Sequence, residues 1–312
     1  MPIRTLLRSA ALLLAVALAP LAAARGAPAD TAASKPPVPL LWKVTGAGDA
    51  RVYLLGSFHL LTAQDYPLSA DVEKAFDASQ RVVFELSPED MQSPELSSRM
   101  VQAATRTDGS ELKRDLDEAT WHKLQAFAAS NNLPLPQLQG MKAWFVGLTI
   151  SVGQMQKMGL DPALGLDRHF MERAQKTGRK TAGLEDIDTQ IRMLDGMSAT
   201  EQRQMLAEAL DEVDKGDVQA RQLHDAWRRG DDRLLWNKMA VEMRQQYPQL
   251  YQRINTGRND AWVPKLVPYL QAGQGGTLVV VGGLHLLGSD GVVEKLKARG
   301  YKVERVCTGC KR

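Results

Sequence analysis

The chain has 312 residues, of which 44% are hydrophobic and 24% charged, and its formal net charge is +3. That balance excludes a disordered chain and is enough for a sizeable core. The charges are scattered and nearly cancel, so the sequence carries no electrostatic footprint for nucleic acid.

The first residues read as a leader. Arg4 and Arg8 form a basic start, and Ala10 to Leu21 is an apolar run too short to span a bilayer comfortably. Small residues around Ala24 and again around Ala29 offer two cleavage points. Removing residues 1–24 takes two arginines away and leaves +1. The expectation is a signal peptide over 1–24 and a flexible Ala/Pro-rich linker over 25–39. An α/β domain then covers 40–306, and 307–312 form a tail. The mature protein is expected to be periplasmic or secreted, with no stable membrane anchor after cleavage.

Apolar runs at 40–45 and 52–55 flank Gly46-Ala-Gly-Asp49, a hairpin signal. A short helix opens at a capping serine, Ser69, and a strand at 81–85 ends on Glu85. From Ser93 to about Gln175 the pattern is helical, with breaks at Asp108-Gly109, Leu133-Pro134 and Asp161-Pro162. The apolar stretch Trp144 to Met158 is under 18 residues and is interrupted by Gln154 and Gln156, so it reads as a buried core helix. A strand at 180–185 ends on Glu185. A helix over 198–217 opens with Ser198 as cap and Glu201 completing a capping box. Helices follow at 222–230, 232–245 and 261–272, then a strand at 277–281, a helix at 291–300 and a strand at 301–306. The pattern predicts a central mixed β-sheet surrounded by helices, with a largely helical insertion.

One phrase is written twice. Val52-Tyr-Leu-Leu-Gly56-Ser-Phe-His59-Leu-Leu and Thr277-Leu-Val-Val-Val-Gly282-Gly-Leu-His285-Leu-Leu each carry an apolar strand, a glycine turn and a histidine. Four polar residues therefore stand where apolar strands stop: His59, Glu85, Glu185 and His285. In open α/β sheets ligands bind beyond the carboxyl ends of the strands. Two imidazoles and two carboxylates suit a first-row divalent metal, or a metal-free pair in which a carboxylate orients a histidine that activates water. Gly56 and Gly282 let a ligand approach the backbone.

Each residue also has a plainer reading. Glu85 serves as a solvated strand end or caps the helix after Ser87-Pro88. Glu185 starts the helix at Ile187 through its charge. Asp167 is an N-cap. Arg258 and Asn259 lie between a turn and the helix at Trp262, with Arg258 on the surface. His122, His169 and His224 fall on solvated helix faces. Cys307 and Cys310 trail the last strand, so a local disulfide or an idle pair is expected instead of a redox motif.

With its paired Gly-x-x-His motifs, Glu85, and the phrases Gly165-Leu-Asp167, Gly183-Leu-Glu185 and Arg258-Asn259, the chain resembles the TraB/PrgY/GumN family over roughly residues 40–306. The Tiki metalloproteases are eukaryotic relatives of that family. The resemblance implies an architecture like that of erythromycin esterase-like, ChaN-like and Tiki-like proteins. It implies divalent manganese or cobalt, with zinc as a further candidate, and it raises Arg258 and Asp167 above their plain readings.

The resulting expectation is an exported metal-dependent hydrolase, peptidase-like, acting on a peptide or a small ester. His59, His285 and Glu85 would bind the metal; Glu85, Glu185 and Arg258 would be catalytic; Asp167, Asn259, Gly56 and Gly282 would support the site or the substrate. The alternatives are a metal-independent esterase-like hydrolase with water activated by His and Glu, and a non-enzymatic binder of metal, haem or peptide.

Overall fold

The computed structural model describes residues 35–216 and 218–310. The expected signal peptide, its cleavage points and most of the linker lie outside the described residues.

In chain order, a hairpin β1 (Leu41–Thr45) and β2 (Arg51–Ser57) leads to α1 (Ala70–Asp77) and β3 (Arg81–Leu86). The helical stretch follows as α2 (Pro88–Gln92), α3 (Pro94–Ala104), α4 (Glu118–Ser130), α5 (Leu135–Gln139), α6 (Ala143–Lys157) and α7 (Leu166–Lys176). After β4 (Lys180–Glu185) come α8 (Ile187–Asp195), α9 (Ala199–Asp214), α10 (Val218–Arg229), α11 (Asp232–Trp236), α12 (Glu242–Gln246), α13 (Pro248–Tyr251) and α14 (Gly257–Gln271). The chain closes with β5 (Gly276–Gly282), α15 (Val292–Ala298) and β6 (Lys302–Arg305).

The strands form one mixed sheet in the order β4-β3-β5-β2-β1-β6. Its β4-β3-β5-β2 half is parallel, while β1 pairs antiparallel with both β2 and β6. Helices surround it, as the sequence predicts. Every residue of β5 is buried. A strand covered on both faces needs a continuous apolar run, which is what Thr277 to Val281 provides. The outer strands β4 and β6 are more exposed and carry Lys180 and Lys302, a charge at a sheet edge that discourages pairing with another chain.

The apolar interior has two parts. The larger packs both sheet faces, and a smaller satellite gathers Trp121, Leu124, Val146, Ile150, Leu206 and Leu210 from α4, α6 and α9. Helix α6 serves both, with Trp144, Leu148 and Met155 in the main core. It is therefore apolar nearly all round, as expected of a buried core helix. Among the described residues no helix is long and apolar enough to cross a membrane.

Several local expectations are corrected. Ser69 stands at the N-cap of α1 but makes no capping hydrogen bond. Ser198 and Glu201 do form the capping box of α9. Helix α10 begins at Val218, earlier than 222. The helix expected over 232–245 is interrupted by a π-helical turn, Asn237–Val241. A second π-helical turn, Gln252–Thr256, runs straight into α14, so Gly257 continues the helix and Arg258 and Asn259 lie in its first turn. Residues 35–39, the end of the expected linker, lie along the domain. The Val38 amide donates to Arg228, and Arg228 and Arg305 donate to the carbonyls of Lys35 and Pro39. Cys307 and Cys310 form a disulfide. Within that loop the Thr308 amide and hydroxyl each donate to Asp71, both at 2.6 Å.

Candidate functional site

The parallel half of the sheet delivers the four predicted residues to one end. Glu85 and Glu185 sit at neighbouring strand ends, since Leu86 pairs with Glu185 across β3 and β4. His59 and His285 follow β2 and β5, which pair directly, Ser57 opposite Gly282. The two Gly-x-x-His phrases therefore emerge side by side.

His59 is held from one side only. Its Nδ1 lies 2.7 Å from Asp167 Oδ2, and the Ser57 hydroxyl donates to the same oxygen at 2.5 Å. Asp167 is buried in the first turn of α7. It is not an N-cap, because Gly165 takes that position, and its carboxylate reaches across to β2. Gly165 permits the approach: a Cβ there would lie 2.1 Å from the His59 carbonyl oxygen. With Nδ1–H donated to Asp167, the lone pair of His59 rests on Nε2. That atom is buried without a hydrogen-bond partner, 3.9 Å from Glu85 Oε1.

His285 is held from both sides. Its Nδ1 is 2.7 Å from Asn259 Oδ1, and its Nε2 faces Arg258 Nη1 at 3.1 Å. Asn259 is fixed in turn by donating to the Asp290 carbonyl at 2.8 Å. An imidazole that donates through Nδ1 and accepts through Nε2 is neutral.

Arg258 is the hub. Nη2 donates to Glu85 Oε2 at 2.6 Å and to Glu185 Oε2 at 2.9 Å, and Nε donates to Glu185 Oε1 at 2.7 Å. The forked guanidinium thus grips Glu185 with two donors while reaching Glu85 with a third. Trp262, one turn further along α14, donates to Glu185 Oε1 at 2.8 Å, and its ring lies beneath the guanidinium at 4.7 Å. Neither glutamate is a helix cap: Ser87 caps α2 and Asp186 caps α8. Arg258 is 6% exposed, so its reading as a surface arginine is overturned.

The electrostatics follow from this packing. Burial resists ionisation of Glu85, but the Arg258 charge and the Gly282 amide, donating at 2.7 Å, hold its pKa down at about 2. Burial and the adjacent guanidinium push His285 down to about 3. Burial also works against a charged His59, yet Asp167 outweighs it and the pKa lies above the ordinary value. Arg258 is desolvated too, but its two carboxylates keep it charged. Two histidines from one sequence phrase therefore take opposite protonation behaviour.

Gly282 leaves a nook among them. A Cβ there would lie 3.1 Å from His59 Nε2, 3.3 Å from Glu85 Oε1 and 3.5 Å from His285 Cδ2. Beside it is a cavity of about 20 Å³, lined on its apolar side by Phe58, Trp227, Leu235, Met239 and Leu284, which is roughly room for one water.

The donors do not form a metal nest as they stand. Of the expected ligand atoms, His285 Nε2 and Glu85 Oε2 already face the Arg258 cation, and only His59 Nε2 is open. Among the described residues no group of three His, Cys, Asp or Glu side chains is arranged to hold an ion.

The profile of the TraB/PrgY/gumN family matches residues 40–305. The chain belongs to that family. Searches of curated proteins and of solved structures returned no match. The site described above thus lies wholly within the family region.

Two participants were not singled out in the sequence. Ser57 lies two residues before His59, and Trp262 lies four residues after Arg258, the spacing of one helix face. Two of the three histidines read as solvated are not. His224 Nε2 is 3.0 Å from buried Asp65, which also pairs with Arg228. His169 packs on Tyr66 and Phe170, and its Nε2 is buried without a partner. His122 is exposed, as expected.

Proposed function

We propose that this TraB-family chain is a hydrolase in which His59 activates water. The observation that carries the reading is the buried, unpartnered Nε2 of an imidazole whose Nδ1 is fixed by Asp167. A carboxylate that orients and supports a histidine base is a recurring arrangement in hydrolysis. The 3.9 Å between His59 Nε2 and Glu85 Oε1 is too long for a direct hydrogen bond and suits a bridging water. His59 takes the proton of that water, and Asp167 stabilises the imidazolium that results. The Arg258 charge, already desolvated, favours the oxyanion that develops when the water adds to a carbonyl. Glu85 and Glu185 hold the arginine in place, and neutral His285 leaves its charge undiminished. The substrate class is a small ester or a peptide.

The metal-dependent reading rests on the same open nitrogen and on the carboxylate behind it, a common support for a metal-binding histidine. It requires Arg258 to leave His285 and Glu85. The export expectation rests on residues 1–24 alone and is tested by the intact mass of the secreted chain.

The deciding experiment uses protein freed of metal with chelator. It is assayed on 4-nitrophenyl acetate and on fluorogenic peptides, with and without added manganese, cobalt or zinc. Turnover without metal that disappears in His59→Gln is the expected result. Turnover only after metal addition would replace this mechanism with the metal-dependent one. No turnover in either case would favour a binding protein.

A further inference from the structure

Lined by none of the residues of the charged cluster, an apolar, partly open cavity of about 280 Å³ lies in the helical insertion. Its walls are Phe127 of α4, Leu138 of α5, Met141, and Phe145 and Ile150 of α6. Apolar cavities of about 150 Å³ stay dry and accept benzene, so this one has room for roughly twice that body. It borders the satellite core, in which Ile150 and Val146 are buried.

Two features indicate what it takes. The first is Gly153, within α6 and on the cavity wall. Its backbone does not require glycine, and a Cβ there would meet nothing within 4 Å. Glycine in a helix interior destabilises the helix relative to alanine. Here the missing side chain leaves the cavity open. The second is Lys157, one turn further along the same wall. Its ammonium donates to the Asn131 side-chain oxygen and lies 5.9 Å from the Phe127 ring. An ammonium has three donors. These partners are an uncharged amide and an aromatic face, and the lysine is exposed. An apolar chamber with a cation at its rim matches a ligand with an alkyl body and a carboxylate head.

We propose that the cavity between α4, α5 and α6 binds one free medium-chain carboxylate, its chain along Gly153 and its head at Lys157. The site is independent of His59 and of any hydrolysis there.

Calorimetry with the full chain and hexanoate, octanoate, decanoate and dodecanoate tests this. Each added methylene should tighten binding by about fourfold. The gain should stop at about ten carbons, when the chamber is full. Gly153→Ala should weaken decanoate binding and Gly153→Leu should weaken it at least tenfold, with circular dichroism unchanged. The alanine variant keeps the test available should leucine disturb the fold. Lys157→Gln should weaken octanoate several-fold and leave octanol unchanged. The proposal is overturned by no saturable uptake of decanoate. It is equally overturned by affinity that climbs with chain length without a break, or by wild-type binding in Gly153→Leu. Retention on phosphatidylglycerol vesicles with no uptake of the free acid would assign the face to a lipid surface instead.

Discussion

Arg258 Nη2 lies 2.6 Å from Glu85 Oε2, across 173 residues of sequence. This contact ties α14 to the end of β3, and the same guanidinium ties both to β4 through Glu185. Arg258→Met would leave two buried carboxylates without their cation, an uncompensated burial that costs roughly 3–5 kcal/mol. Arg258→Lys should lose less, because it keeps the charge but not the fork. Urea unfolding of the two variants should rank them in that order, and both should lose turnover.

The pH dependence of turnover should report His59. Its pKa lies above the ordinary histidine value because Asp167 outweighs burial. A neutral base is needed, so the rate should rise with pH through a value above about 6.5. Asp167→Asn removes the outweighing charge and leaves the burial, so this limb should move to lower pH. The plateau should fall roughly 10²-fold. In stability the sign is opposite. A raised folded-state pKa contributes stability fully present below about 6.5 and lost as pH rises through the folded value. NMR titration of the His59 ring in both proteins checks the two statements together.

Gly282→Ala places a methyl group among His59 Nε2, Glu85 Oε1 and His285 Cδ2. The backbone needs no special dihedral there. Turnover should fall at least tenfold, about 1.4 kcal/mol of barrier, with little change in melting temperature. Unchanged turnover would show that the reacting water does not use the nook.

His169 offers a separate handle on acid stability. Burial, aided by Arg173, lowers its pKa to about 4. A depressed histidine stays neutral in the fold while the unfolded chain takes up protons. Stability is therefore lost as pH falls from about 6.5 toward 4. His169→Phe should reduce the loss between pH 7 and pH 5 by about 1 kcal/mol at most, since the ring is only partly buried and solvent screens it, read from urea midpoints at the two pH values.

Strands and their ends were legible in the sequence because period, glycine and charge agree there. The duplicated Gly-x-x-His phrase placed His59 and His285, and Glu85 and Glu185 stood where apolar runs stopped. What each side chain does was not legible. Asp167 and Asn259 are what distinguish the two histidines, and each arrives from a helix, Asp167 from 108 residues away and Asn259 from 26. Arg258 reads in the sequence as lying between a turn and the helix at Trp262, whereas the π-helical turn Gln252–Thr256 runs into α14 and puts it inside the helix. His224 and His169 looked polar-faced because their partners, Asp65 and Tyr66, lie in a loop more than a hundred residues earlier.

The strand order sets when the protein becomes whole. β5 is the fifth strand made but lies between β3 and β2. Until residues 276–282 leave the ribosome, the β1–β2 hairpin and the β3–β4 pair have no shared edge. His59 then follows the hairpin, Glu85 belongs to the β3–β4 pair, and His285 has yet to emerge. A nascent chain halted at residue 270 should therefore remain protease-sensitive in its strands, and release of residues 271–312 should confer resistance there in a single step. Contacts this distant in sequence close slowly, so the waiting chain is also the form most exposed to chaperones.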